Sequence, residues 1–193
     1  MADEFRIDKT KTALVVIDLQ VGITGMATAP HDSASVIKNA SRLVDAFRRN
    51  SMPVVLVHVN ASQAEMLRPE ADEPMGFTGE RPKNWADFVP EMAPNEDDIV
   101  ITKKQWGAFY GTGLDLQLRR RGISTIVLCG IATNYGVEST ARVAYEYGYR
   151  QVFAEDATAA RSEEAHRVTM DNVFKRIGMV RKTDDILAAI KPE

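Results

Sequence analysis

The chain alternates short, unbroken apolar runs with longer stretches in which apolar residues return every three or four positions. Thr12 to Ile17, Val54 to Val59 and Ile123 to Cys129 are of the first kind, rich in β-branched residues and free of formal charge. That is the pattern of strands covered on both faces. Ile99 to Thr102, Arg150 to Glu155 and Gly178 to Lys182 read as three further strands. Between them, Val36, Ala40, Leu43, Val44 and Phe47 recur at helical spacing, with Asp32 and Ser33 as N-cap candidates and Arg48-Arg49 suited to the negative C-terminal end. Leu114 and Leu118 mark a helix ended by Arg119-Arg120-Arg121, with Gly122 at C′. Another amphipathic stretch closes at Gly148, a helix spans about Ser162 to Arg176 with Glu163 and Glu164 in its first turn, and Thr183 caps a last one from Asp184 to Ile190.

Strands alternating with helices at this spacing predict right-handed βαβ units. The expected fold class is α/β, a three-layer α/β/α sandwich around a mostly parallel, roughly six-stranded sheet. Without an internal repeat, low-complexity tract or linker, one domain is expected over residues 1–193, with no further carrier domain after Glu193. Residues 60–97 interrupt the alternation and carry Pro69, Pro74, Pro82, Pro90 and Pro94. Loops this long in a compact domain are usually lids or disordered insertions. Its apolar members Met66, Leu67, Met75, Phe77, Trp85 and Phe88 predict an ordered lid or a subunit contact.

Composition narrows the function classes. An apolar fraction of 45% with 26% charged residues is that of a soluble globular protein. A net charge of −3 gives no reason to expect nucleic acid or an anionic membrane as partner. The N-terminal residues lack the apolar core of a signal peptide, and no apolar run approaches the roughly 20 residues of a membrane span. One cysteine, Cys129, excludes an internal disulfide framework and a multi-thiolate metal site. A cytoplasmic location is expected.

The chemistry-bearing residues lie at strand tips. Asp18 follows the first strand, and is either a solvated strand end or helix cap or a catalytic carboxylate. Lys103 and Lys104 follow the third strand and precede an aromatic turn, Gln105 to Tyr110, at the same expected edge. His58, alone within a strand, reads as a packed residue rather than a metal ligand. After Cys129 the chain turns through Gly130-Ile131-Ala132-Thr133-Asn134-Tyr135-Gly136 into a helix. Such a turn aims unpaired helix N–H groups at whatever sits above the strand. The turn carries hydroxyls and amides but no thiol.

Three pieces in this order, ALVVIDLQ with Asp18, ITKKQWGAFYGTGLDLQLRRRGI with Lys103, and VLCGIATNYGVESTARVAYEYGY, resemble the isochorismatase-like (cysteine hydrolase) family over almost the whole chain. The resemblance implies the sandwich fold, assembly as a homodimer or larger homo-oligomer, and a small-molecule substrate. Most members use an Asp–Lys–Cys triad in which a thiolate attacks a carbonyl. By motif position, Asp18 and Lys103 match the first two, Lys103 being six residues before Phe109. The nucleophile position, one residue before VESTAR, is Gly136, which cannot form a thioester. Cys129 lies seven residues earlier in an apolar strand, where a buried thiol is inert.

True isochorismatases are similar in keeping the acid and lysine with glycine at the third position. The resemblance therefore implies cleavage of the vinyl ether of isochorismate, or of a related anionic molecule, with Asp18 as general acid. Two alternatives stand beside it: a hydrolase of another C–N or ester bond using activated water, and a non-catalytic member. A neighbouring ammonium lowers an aspartate's pKa while burial raises it, so the balance of the two decides whether Asp18 can hold a proton. The resemblance also implies a cis peptide at Ile131-Ala132, and pocket aromatics among Trp106, Phe109, Tyr110 and Tyr135, with core packing an equal reading for Phe109. No cofactor or metal is expected, because His31, His58 and His166 are widely separated in the sequence.

Overall fold

The computed structural model describes residues 5–62, 64–65, 67, 69–73 and 81–190. Six strands form one sheet: β1 (Thr12–Ile17), β2 (Val54–Val59), β3 (Ile99–Lys103), β4 (Thr125–Ile131), β5 (Arg150–Ala159) and β6 (Met179–Arg181). Their order is β3-β2-β1-β4-β5-β6, and every pairing is parallel. The chain steps outward from β1 to β3, then restarts on the other side of β1 with β4. The crevice above the β1/β4 boundary is thus the switch point at which open α/β sheets bind ligands.

Strand alternation sends Leu14 and Val16 to one core and Ala13, Val15 and Ile17 to the other. Helix α1 (Ser33–Arg49) covers the first, burying Val36, Ala40, Leu43, Val44 and Phe47. Its first turn is closed by Asp32, whose carboxylate accepts from the Ser35 N–H at 2.7 Å. Helices α2 (Leu114–Arg120) and α3 (Glu138–Glu146) cover the second core with Leu114, Leu118, Ala141 and Ala144. Helix α4 (Glu163–Thr169) runs on through a π-type turn, Met170–Phe174, into a last turn at Lys175–Ile177, and α5 (Thr183–Ala189) packs beside α1. The three-layer α/β sandwich expected from the sequence is the fold observed.

Several boundaries differ from the sequence reading. β3 includes Lys103. β4 continues two residues past Cys129, and β5 runs four past Glu155. Gly130 explains the first of the two extensions. A Cβ there would stand 2.0 Å from the Ile17 carbonyl oxygen, and its φ is +117°. Only glycine lets β4 continue so close to β1, so a residue that reads as a turn belongs to the strand. The last helix starts at Thr183, whose N–H and hydroxyl both donate to Asp156 Oδ1.

Within the irregular stretch, Trp85, Val89 and Met92 are buried and Leu67 is exposed. Gln20 ties this stretch to the sheet: its Nε2 donates to the carbonyls of Val59 and Trp85, and its Oε1 accepts from the Val59 N–H. Met66, Met75 and Phe77 lie outside the described residues.

Candidate active site

Asp18 leaves β1 with a left-handed backbone, φ +53°, and its N–H donates to the Val57 carbonyl at 2.9 Å. A non-glycine residue held there is strained, and such strain clusters at functional sites. Lys103 arrives from two strands away. Alternation along β3 buries Ile99, Ile101 and Lys103 and exposes Val100 and Thr102. Lys104 therefore faces the opposite way, is exposed, and pairs with Glu65. This separates two lysines that are adjacent in the sequence.

Lys103 Nζ sits 2.8 Å from Asp18 Oδ2 and donates to the Trp106 carbonyl at 2.5 Å. Both charged groups are buried. The third member of the cluster is Gly136: a Cβ there would be 3.0 Å from Lys103 Nζ, 3.1 Å from Asp18 Oδ2 and 3.1 Å from Ile17 Cγ2. A side chain at this position would meet the ion pair directly. The Ile131-Ala132 peptide is cis, as is Ala29-Pro30.

Burial holds the Asp18 carboxyl above the usual carboxylate range. The opposing influences, the Lys103 charge and hydrogen bond, the His58 charge and the Val59 backbone, are smaller. Among the described residues, Asp18 Oδ1, Asn134 Oδ1 and Gln105 Nε2 are buried without a hydrogen-bond partner. Such groups are costly unless something pairs with them. The sequence places Asn134 and Gln105 in the two turns at this edge, but gives neither amide a role of its own. Thr140 was missed too. Its hydroxyl donates to the Gly136 carbonyl at 2.7 Å and accepts from the Ala108 N–H at 3.0 Å, clamping the turn to the segment after Lys103.

The aromatics divide. Trp106 is half-exposed and meets Tyr135 edge-on, with ring centroids 5.0 Å apart. Tyr110 is exposed. Phe109 is buried in the second core beside Tyr147 and Tyr149, so the core reading holds for it and the pocket reading does not. His58 is packed as expected: its ring nitrogens meet the Ala86 carbonyl and the Thr102 hydroxyl, and its ring stacks on Phe88.

The expectation that the histidines stay apart needs correction. His31 and His166 meet at Glu155, with Nε2 atoms 3.0 and 3.3 Å from the same oxygen, Oε1. β5 carries Glu155 between a loop and a helix that are far apart in the sequence. Hydrogen bonding from His166, reinforced by Lys182 and His31, keeps the Glu155 carboxyl well below the usual range against the effect of burial.

An isochorismatase domain is matched over residues 12–185. The chain belongs to the isochorismatase family. It is 50% identical over 193 residues to the isochorismatase family protein YwoC of Bacillus subtilis, covering 99% of this chain and 100% of YwoC. An isochorismatase family protein from Burkholderia thailandensis superposes with a TM-score of 0.91 and 41% identity, over 97% of this chain and 98% of that one. More distantly, the ureidoacrylate amidohydrolase RutB of Pseudomonas syringae is 29% identical over 219 residues, 98% of this chain and 88% of RutB.

Cys129 takes no part in the cluster. It is fully buried in the first core beside Val16, and burial pushes its thiol up to about 12. The native protein is expected to take up no iodoacetamide at pH 8 over a period in which the guanidinium-unfolded chain takes up one equivalent per chain. Native labelling at the rate of a free thiol, followed by mass spectrometry, would contradict this placement.

Proposed function

We propose that this family member is a hydrolase that works without a nucleophilic side chain, cleaving the vinyl ether of isochorismate or a closely related anionic molecule with Asp18 as general acid. The observation that carries the reading is Gly136 against the buried Asp18–Lys103 pair: an acid and a cation are present, and the third position has no side chain. Vinyl-ether hydrolysis requires a proton delivered to carbon and a water molecule, and no covalent intermediate.

In this mechanism Asp18 Oδ1, buried and unpartnered among the described residues, carries the proton while Oδ2 stays with Lys103. Protonation of the terminal methylene turns the enol ether into an oxocarbenium ion. Water adds to the cationic carbon, and its surplus proton returns to Asp18. The hemiketal then collapses, the ether C–O bond breaks, and pyruvate leaves with a dihydrodiol. The Lys103 ammonium and N–H groups of the helical turn Thr133–Val137, which leads into α3, orient the substrate's carboxylates, and the absence of a Cβ at Gly136 leaves room for substrate or water. The resemblance supports a homo-oligomer, and the single cysteine suits the reducing cytoplasm.

The amidohydrolase activity named for RutB favours a second reading, hydrolysis of a C–N or ester bond by water activated at Asp18. The test is pyruvate release from isochorismate by the purified protein, coupled to lactate dehydrogenase. Release far above the spontaneous rate is expected. A rate equal to the spontaneous one would remove isochorismate and leave the water-driven hydrolase, to be followed by a panel of amides and esters.

A further inference from the structure

We propose that His31, Glu155 and His166 form a binding site for a divalent transition metal of the zinc class, placed behind the turn that carries Gly136. Three separate elements supply the ligands: the loop after cis-Pro30, strand β5 and helix α4. One donor atom from each lies within 4.8 Å of the other two. The two separations from Glu155 Oε1, 3.0 and 3.3 Å, are near the ~3.3 Å edge of a tetrahedron with metal–ligand bonds of about 2.0–2.1 Å. Two imidazoles and a carboxylate are a donor set that zinc takes, with a fourth position left for a non-protein ligand.

The surroundings match what a metal ligand needs beyond its first contact. The other ring nitrogen of His166, Nδ1, is 2.8 Å from the Thr133 hydroxyl, and both residues are buried. With Nε2 given to a metal, Nδ1–H donates to Thr133, which fixes the ring's tautomer and orientation. The second oxygen of Glu155 is held by Lys182, leaving Oε1 to face the two histidines. A cavity of about 300 Å³ adjoins the cluster, lined by Glu155, His166, Met170, Lys175, Arg181 and Lys182 among others, and by neither Asp18 nor Lys103. It leaves room for the fourth ligand, and its lining carries Asp171 and Asp185 as well as lysine and arginine side chains.

A triad held by hydrogen bonds alone would use the same residues, with Glu155 as shared acceptor, so the test must separate the two. Thr133 opens the turn, three residues before Gly136, and the site therefore braces the catalytic segment whichever bond the enzyme cleaves.

The experiment uses tag-free protein stripped with chelator and titrated with Co²⁺ in an absorption spectrometer and with Zn²⁺ in a calorimeter. Expected are one equivalent per chain, the visible bands of four-coordinate Co²⁺, and a Tm raised by roughly 5–10 °C at a hundredfold excess over Kd. His31→Ala, at a partly exposed loop position, should weaken binding by at least about 100-fold, and Thr133→Val, which removes only the orienting hydroxyl, by about 10-fold. Circular dichroism checks that each variant folds. No saturable binding of Zn²⁺, or binding that His31→Ala and Glu155→Gln both leave intact, would overturn the proposal and leave a hydrogen-bonded triad.

Discussion

Asp18→Asn is expected to lower kcat for vinyl-ether cleavage by about 10²–10⁴-fold, the usual contribution of a general acid. Asparagine keeps the shape of the side chain but has no proton to give to carbon. The effect should appear in kcat and kcat/KM together, with KM nearly unchanged, because the proton transfer exists only in the transition state. The pH dependence follows from the same group. Burial raises the Asp18 pKa against the Lys103 ammonium, the His58 charge and the Val59 backbone. The acid form therefore persists above the usual carboxylate range, and kcat/KM should be level at low pH and fall as pH rises through that raised pKa. The residual rate of Asp18→Asn should lack this descending limb. A variant within about threefold of wild type would exclude Asp18 as the proton donor.

Lys103→Met is expected to destabilise the protein by about 3 kcal/mol at pH 8, near the low end for breaking a buried ion pair. The removed ammonium neutralises Asp18 Oδ2 at 2.8 Å and satisfies the Trp106 carbonyl at 2.5 Å, both inside the protein. The cost stays near the lower limit because Asp18 can take up a proton once its partner is gone. Loss of the cation raises its folded-state pKa further above the unfolded value. Between those two values the folded state binds more protons than the unfolded state, so stability declines as pH rises. The deficit of Lys103→Met, followed by denaturant titration, should thus be smallest at pH 4–5 and grow toward pH 8. The growth should be on the order of 1 kcal/mol for each pH unit crossed between the Asp18 folded-state value of the wild type and its higher value in the variant. Asp18→Asn combined with Lys103→Met removes both charges and should recover part of the loss. Additive effects of the two substitutions would mean that the pair is not energetically coupled.

Much of this architecture was legible in the chain itself. β1 and β2 begin and end where their apolar runs do, and α1 begins after its capping aspartate. These elements are specified locally, by alternation, helical periodicity and one side-chain cap, and tertiary packing agrees with the local preference. The elements that shifted have a long-range cause. Gly130 reads as a turn until β1 lies against it, and β5 passes Glu155 because its C-terminal half pairs with β4 beyond an irregularity in register.

The site divides in the same way. The family resemblance carried by three motifs in order set Asp18, Lys103 and Gly136 together, and it argued against the thiol mechanism because glycine has no nucleophile in any fold. The sequence also marked Cys129 as buried, because its strand neighbours are apolar. The motif preferred Lys103 over Lys104, and the tertiary structure supplies the reason, through the alternation that turns Lys103 inward and Lys104 out. The tertiary structure alone decided the sign of the Asp18 pKa shift, because desolvation depends on the whole enclosure and a nearby charge on a single distance. It brought His31 and His166 from opposite ends of the chain to one carboxylate oxygen, and it sent Phe109 into the core. Local pattern records which residues can do chemistry. Which of them meet is settled by strand order and by what each side chain must exclude from water to be there.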